Sequence, residues 1–519
     1  MHRLRNGATT LPQWYTFHAS TERDGWNSNE TVLTTANVNQ NQFGMRYSVP
    51  VNGEVYAEPL FVPQVNIPRH GLHNVLLVAT EADSVYALQA ETGITIWQTS
   101  YVNPPAVTTF PTKNCQCSNI AVQQGITGTP VIDPATLTAY FVSKTNDTSN
   151  GITTTHYRLH GISVATGQDI APATDIVASV VASDGTIVAL DPAMSIQRPG
   201  LTLSRGVVYV AFGSGADKQP LTTSGWVVAF NKKTLAQMSA FSDEKGASQT
   251  MHLWYGPTEP VRLGAIWMSG AAPAVDGGGN LYAQTGNGAF DGTLDFGQSV
   301  VKVSPDLSHV VDYFTPSQWL KQSNSDSDLS SAGPVILPET IGGARIVVAG
   351  GKSGETYLLN QDRLGRFNAK QDNVLSETMT NSGLWGTVAA YVGPDGNQYL
   401  IVPGGGPMTL WQVTQTATLS FVDQSSETFG TGDDSGSEPV ISSNGTTPGS
   451  AIVWAYSRSG GNGPAQLTLR AFDATNLTKQ LIELPYTNWM GGGELLTPAV
   501  ANGLVFTAGE GTVSAYGLL

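Results

Sequence analysis

Three features of the sequence predict an all-β protein, an eight-bladed β-propeller of four-stranded antiparallel blades. Its glycine content is high (57 of 519 residues) with few charged residues (13%), the composition of many short strands joined by tight turns. A strand–turn–strand unit recurs along the chain, and a second signal recurs in step with it: a proline opening a short apolar strand. Proline is tolerated at the first residue of a strand, where no ladder donor is required.

The clearest copy of the unit is Ser84-Val-Tyr-Ala-Leu-Gln-Ala-Glu-Thr-Gly-Ile-Thr-Ile-Trp97, a strand, a Glu-Thr-Gly turn and a second strand ending in Trp. Looser copies begin at Arg158, Gly225, Val300, Glu355, Thr409, Leu469 and Thr512. The strand openers are Pro59, Pro130, Pro199, Pro273, Pro334, Pro439 and Pro498, with Thr387-Val-Ala-Ala390 filling the remaining place. Eight units in 519 residues give about 65 residues each, enough for about four short strands, and radial repetition of four-stranded sheets protects strand edges. The last copy lacks an outer strand. Phe43–Pro50 can supply it, so the ring is expected to close by pairing N- and C-terminal strands. No linker or charge shift divides the chain. We read residues 1–40 as an N-terminal extension packing on the propeller and 41–519 as a single propeller domain.

The formal net charge is −15, which argues against nucleic acid as a partner, because phosphate binding needs a basic face. No run approaches the ~18 apolar residues of a membrane span. No apolar stretch follows Met1-His2-Arg3-Leu4-Arg5, so no secretion signal is visible. Sequons at Asn29, Asn146, Asn444 and Asn476 are compatible with secretion, and the expected location is secreted or periplasmic. Only Cys115 and Cys117 are present, too few for a disulfide scaffold or a four-Cys zinc site. There is no phosphate loop, dinucleotide fingerprint or Ser-His-Asp signature.

The strand–Ala-x-x-Thr-Gly–strand–Trp unit resembles the blade motif of the pyrroloquinoline-quinone (PQQ) propeller family over most of the chain, from about residue 40 to 519. That motif occurs both in quinoprotein alcohol dehydrogenases and in non-catalytic propellers such as outer-membrane assembly factors. The resemblance implies PQQ and Ca²⁺ as cofactors and assigns residues to each. Ca²⁺ needs hard oxygen ligands. Asp217 in Ser214-Gly-Ala-Asp217 stands where the family has a Glu ligand, and Asn287 in Thr285-Gly-Asn287 stands at its amide ligand. Trp267 matches the Trp that stacks on the quinone. Asp328 aligns with the catalytic base, with Asp326 close behind, and Asp328 counts among the metal ligands. Ser330 replaces the further Asp of lanthanide-using members, which favours Ca²⁺. Lys352 stands at the cation that contacts the quinone oxygens.

Other positions depart from the pattern. The family has two adjacent Cys on one face of PQQ; here Cys115 and Cys117 are separated by Gln116. The family's Arg that binds PQQ carboxylates is replaced by Gln124, and an expected acidic residue by Tyr56. Asp and Asn after strands also commonly cap turns, which is the structural reading of Asp217 and Asn287. Asp433, Asp434, Glu438 and Glu494 precede inner strands and are expected at the channel mouth. Two functions therefore stay open. One is a PQQ/Ca-dependent dehydrogenase of an alcohol or sugar. The other is a cofactor-free propeller that binds a protein partner, or uses its channel-mouth carboxylates as a lyase or hydrolase on a carbohydrate or small metabolite.

Overall fold

The computed structural model describes residues 13–115, 120–215, 217, 221–254, 256–430, 436–459, 465–489 and 496–519. Cys117, Asp433, Asp434 and Glu494 lie outside them. Among the described residues there is one short α-helix, Trp319–Asn324, and eight sheets of four to six strands. No helix among them is long and apolar enough to cross a membrane. The innermost strands, in chain order, are Leu60–Ile67, Val131–Asp133, Thr202–Ser204, Ala274–Val275, Val335–Ile336, Ala389–Val392, Val440–Ser442 and Ala499–Ala501. Each starts where the proline signal, or Thr387-Val-Ala-Ala390, places it.

The first sheet is a four-strand antiparallel meander: Leu60–Ile67, Gly71–Thr80, Ser84–Gln89 and Thr95–Ser100. The eighth sheet has three strands from the C-terminal end, and its fourth is Phe43–Glu54, paired antiparallel with Glu510–Leu518 from Phe43↔Leu518 to Glu54↔Glu510. The insertion at 243–263 forms a separate hairpin, Gln249–His252 with Thr258–Val261.

Side chains alternate across each sheet, so a buried strand serves two cores. In Val207–Ser214 of the third sheet, Val208, Val210 and Phe212 pack with Tyr140, Val142 and Tyr157 of the second. Tyr209 and Ala211 pack with Val275, Leu281 and Ala283 of the fourth. The same sharing joins the fourth to the fifth, the fifth to the sixth and the sixth to the seventh, while one larger core holds residues of the seventh, eighth, first and second sheets. Nearly continuous apolar runs such as Val75-Leu-Leu-Val-Ala79 follow from this double burial.

The repeat's Trp has a definite job. Trp97, ending the first sheet, donates from Nε1 to Val164 O of the second sheet at 2.9 Å. Its ring covers Gly167, whose φ is +69° and whose missing Cβ would stand 2.7 Å from the ring. Gly167→Ala combines a left-handed backbone with a clash in a packed seam, and is expected to cost about 1–3 kcal/mol in denaturant unfolding.

The segment from Trp14 to Asn27 touches the innermost strand of every sheet. Trp14 exchanges backbone hydrogen bonds with Phe61, and Ile132 N–H donates to Tyr15 O. Arg23 reaches Thr202 Oγ1 in the third sheet. The N–H groups of Val275, Ile336, Ala390 and Ile441 donate to the carbonyls of Thr21, Glu22, Asp24 and Gly25, at 2.8–2.9 Å. Asn27 Nδ2 donates to Val500 O. These contacts satisfy backbone groups that the inner edges of the sheets would otherwise leave unpaired.

Candidate functional site

Residues from the third, fourth and fifth sheets and their connections meet at one polar site. Strand Val207–Ser214 ends at Ser214, whose hydroxyl donates to Asp217 Oδ1, while Asp217 N–H donates back to Ser214 Oγ at 3.2 Å. Asp217 holds φ = +54°, a left-handed conformation that Asp tolerates better than most residues. Strand Leu281–Gln284 of the fourth sheet leads into Thr285-Gly286-Asn287. Asn287 Nδ2 donates to Asp326 Oδ1 at 2.7 Å, and its amide also reaches Asp217.

The loop carrying Asp326 and Asp328 is pinned from below. Gln284 Nε2 donates to Leu329 O, Ala332 O and Gly350 O at 2.6–2.9 Å. Lys352, in the turn after Ile346–Gly350, donates its backbone N–H to Asp328 O at 3.0 Å. Its Nζ lies 3.0 Å from Asp326 Oδ2 and 3.4 Å from Asp328 Oδ1. Asp328 is buried, and the Lys352 ammonium is the partner of its Oδ1. Gly286 leaves room for it: a Cβ there would stand 3.2 Å from Asp328 Oδ2.

Burial dominates the electrostatics. It pushes the Asp328 carboxyl up to about 7, with Lys352 opposing the rise and Asp326 and Asp217 adding to it. Asp217 is raised for the same reason, with Ser214, Lys352 and Asn287 opposing. Three carboxylates facing one ammonium in a poorly solvated place leave a demand for further positive charge. Among the described residues no group of three or more His, Cys, Asp or Glu side chains is gathered to hold a metal ion, so a metal here would depend on the Asn287 amide as well.

Sequence reasoning missed Gln298. Fully buried, it donates from Nε2 to Asn287 Oδ1 at 3.0 Å and accepts Leu329 N–H on Oε1 at 3.0 Å. One side chain therefore orients Asn287 and holds the loop behind Asp328. A Gln between a turn and a strand carries no signal in sequence.

Trp267 borders this set. Its backbone and Cβ lie over Gly213, next to Ser214, where a Cβ would approach to 3.1 Å. It opens a tight 3-10 turn, Met268–Gly270, in which Met268 and Ser269 both have positive φ.

The remaining candidates lie apart from the carboxylates. Cys115 is buried and disulfide-bonded. Gln124 is buried with both amide ends engaged: Nε2 donates to Cys115 Sγ at 3.2 Å, and Oε1 accepts from Lys144 Nζ at 2.7 Å. Tyr56 is buried, its hydroxyl accepting Ala121 N–H at 2.9 Å. Glu438, expected at an open channel mouth, is instead buried, its carboxylate 3.2 Å from Nε2 of His18 in the N-terminal segment. That segment covers the start of the seventh inner strand, which is why the expectation of an open position fails for Glu438.

No family model matches the chain, and no curated protein matches it. Among solved structures, the chain is similar to a europium-containing methanol dehydrogenase, with a TM-score of 0.60, 12% identity and coverage of 98% of both chains. It is similar also to the quinohemoprotein alcohol dehydrogenase ADHIIG from Pseudomonas putida HK5, with a TM-score of 0.57 and 15% identity, covering 98% of this chain and 80% of that one. BamB from Moraxella catarrhalis aligns at a TM-score of 0.46 and 10% identity, over 92% of this chain and 99% of that one. At 12–15% identity the likeness to the two dehydrogenases shows the fold alone, a β-propeller fold.

Proposed function

We propose that this protein is a secreted or periplasmic quinoprotein dehydrogenase that oxidises an alcohol or a sugar, with PQQ and Ca²⁺ as cofactors. Its eight sheets are read as the blades of a ring closed by the pairing of Phe43–Glu54 with Glu510–Leu518, residues 41–519 forming one domain. Residues 1–40 are the extension whose Trp14–Asn27 stretch floors the central channel. The observation that carries the functional reading is the convergence of Asp217, Asn287, Asp326, Asp328 and Lys352, from three sheets and their connections, into one part-buried site.

The donor set suits a hard cation. Asp217, Asn287 Oδ1 and Asp328 offer carboxylate and amide oxygens, and Asp328 Oδ1 faces the Lys352 ammonium. Asp217, Asn287 and Asp328 would hold Ca²⁺, and Trp267 would give the quinone ring a flat apolar face. When bound, the two cofactors supply a polarised carbonyl that accepts hydride from the substrate carbon.

The chain's own residues handle the proton and the charge. Asp328 in its ionised form takes the hydroxyl proton as the C–H bond breaks, leaving an aldehyde or ketone. Lys352 holds Asp328 and Asp326 together, favours the ionised base, and offers an ammonium to negative charge developing on a nearby oxygen. Asn287, oriented by Gln298, keeps Asp326 engaged so that Asp328 remains the available base. Gln298→Leu is expected to weaken Ca²⁺ binding by about 10–100-fold in a folded protein, measured by calorimetry, because an outer partner of a ligand is lost. The disulfide at Cys115 supports an oxidising compartment.

The test is reconstitution with PQQ and Ca²⁺ followed by an alcohol and sugar screen with an artificial electron-accepting dye. Substrate-dependent dye reduction that needs both cofactors is the expected result. Its absence across the screen would leave the cofactor-free propeller, binding a protein partner or a carbohydrate or other small ligand, as the better reading.

A further inference from the structure

We propose that Asp243, Glu244 and the Gly264 carbonyl form a cation site of their own, built for Ca²⁺, that clamps the base of the 243–263 insertion. None of these residues belongs to the cofactor set above, so the site stands apart from the quinoprotein reading. Strand Gln237–Ser242 of the third sheet runs straight into Asp243 and Glu244, and both side chains are fully buried. Gly225 N–H donates to Asp243 Oδ1 at 2.8 Å. No other residue donates to Asp243 Oδ2 or to either carboxylate oxygen of Glu244. Three carboxylate oxygens therefore stand in the interior without a donor, a costly arrangement unless a cation or protons meet them.

The chain returning from the insertion leaves the space. Gly264 has φ = +79°, and a Cβ there would stand 2.6 Å from Asp243 Oδ2 and 2.7 Å from Glu244 Oε1. Both oxygens are thus aimed at one small volume beside Gly264. The Gly264 carbonyl oxygen is close to Asp243 Oδ2 as well: a Cβ on Gly225 would stand 2.5 Å from the first and 2.7 Å from the second. A cation held here joins the start of the insertion to the residue after its end. Gly264 N–H donates to Asn287 O at 2.8 Å, so the clamp also steadies the backbone behind Asn287.

The neighbouring charges are engaged elsewhere. Arg262 donates from Nη1 to Gly246 O and from Nη2 to Asp184 Oδ2, at 3.1 and 2.6 Å. Lys245 Nζ lies over the Phe241 ring, 5.3 Å from its centroid. Asp295 accepts Gly246 N–H, and Asp291 accepts the N–H groups of Thr293, Leu294 and Asp295. Burial holds the Asp243 and Glu244 carboxyls well above the ordinary carboxylate range, and Asp295 raises both further; Lys245 opposes the rise at Asp243 and Arg262 at Glu244. Two ionised carboxylates call for a charge of two, and a donor set of oxygens alone suits a hard cation. Mg²⁺ dehydrates reluctantly, which disfavours it in the interior, whereas Ca²⁺ accepts carboxylate, carbonyl and water oxygens in flexible geometry.

The test uses the full-length Asp328→Ala protein without PQQ, stripped of metal with a chelator, so that the cofactor site is impaired. Ca²⁺ is titrated by calorimetry, and backbone hydrogen exchange is mapped with and without it. One site with a Kd of about 10⁻⁶–10⁻⁴ M is expected, with exchange slowed at residues 243–246 and 262–265. Adding Glu244→Gln should weaken that binding about 100-fold, because a charged ligand is lost. Absence of Ca²⁺ binding in the Asp328→Ala protein overturns the proposal, as does exchange slowed only elsewhere, and these two arms decide the matter if the Glu244→Gln variant does not fold. Undiminished binding in folded Glu244→Gln also overturns it and marks Asp243 and Glu244 as a pair held by protons. Because PQQ is absent throughout, none of these outcomes bears on the dehydrogenase reading.

Discussion

Arg23→Ala is expected to lower the stability of the protein by about 3–5 kcal/mol, the largest effect of any single substitution outside the site. Arg23 is fully buried, and burial pulls its pKa down only to about 9, so it stays protonated at neutral pH. It makes six hydrogen-bond contacts: Nε and Nη2 to Pro273 O, Nη2 to Thr202 Oγ1, and Nη1 to Thr16 Oγ1, Phe17 O and Ser20 O. Alanine would take a donor from the carbonyls of Phe17, Ser20 and Pro273 and from the hydroxyls of Thr16 and Thr202, and remove the positive charge that favours the ionised form of Glu58. Arg23→Lys should recover only part of the loss, because one ammonium cannot reach acceptors spread over the third and fourth inner strands and the N-terminal turn. Urea unfolding of both variants at matched m-values measures this. A change below about 1 kcal/mol for alanine would mean that the N-terminal segment contributes little to holding the inner strands.

Asp328→Asn is expected to cut turnover of the reconstituted enzyme by about 10²–10⁴-fold with little change in stability, because the general base is removed and its shape kept. The pH dependence carries the same claim. A carboxyl whose folded pKa is raised to about 7 is largely protonated at pH 6 and ionised at pH 8. In the metal-free protein the proton on this carboxyl competes with Ca²⁺, so Ca²⁺ affinity measured by calorimetry should rise with pH from about 6 to 8 and level off above. Lys352 lowers the Asp328 pKa, so Lys352→Met should move that midpoint upward. Stability runs the other way. A raised folded pKa contributes stability that is complete below about pH 4 and lost as pH rises through about 7. A turnover that survives Asp328→Asn would remove Asp328 as the base.

Much of this architecture is legible in the sequence, for a physical reason. A proline at seven of the eight inner-strand starts recurs because the sheets meet their neighbours in the same way, and Trp97 over Gly167 shows one such seam. The outer strand of the eighth sheet is legible from what the last repeat lacks. Asp217, Asn287, Asp328 and Lys352 are legible because they follow strand ends in the order the family motif sets. Arg23 and Gln298 are not. Each acts once, and the contacts of Arg23 with Pro273 span 250 positions, so neither periodicity nor local spacing marks them. The burial of Glu438 is equally hidden, since it depends on His18 being carried inward by the N-terminal segment.

The central claim is that the site binds its cofactors, and calorimetric titration of PQQ into the protein with excess Ca²⁺ tests it most directly, beside an Asp328→Ala control. The account predicts about one PQQ per chain with a Kd of about 1 μM or tighter, weakened in the control. No detectable heat at protein concentrations of about 100 μM, with no change in tryptophan fluorescence, would contradict it and mark the five converging residues as a structural remnant in a propeller of different function.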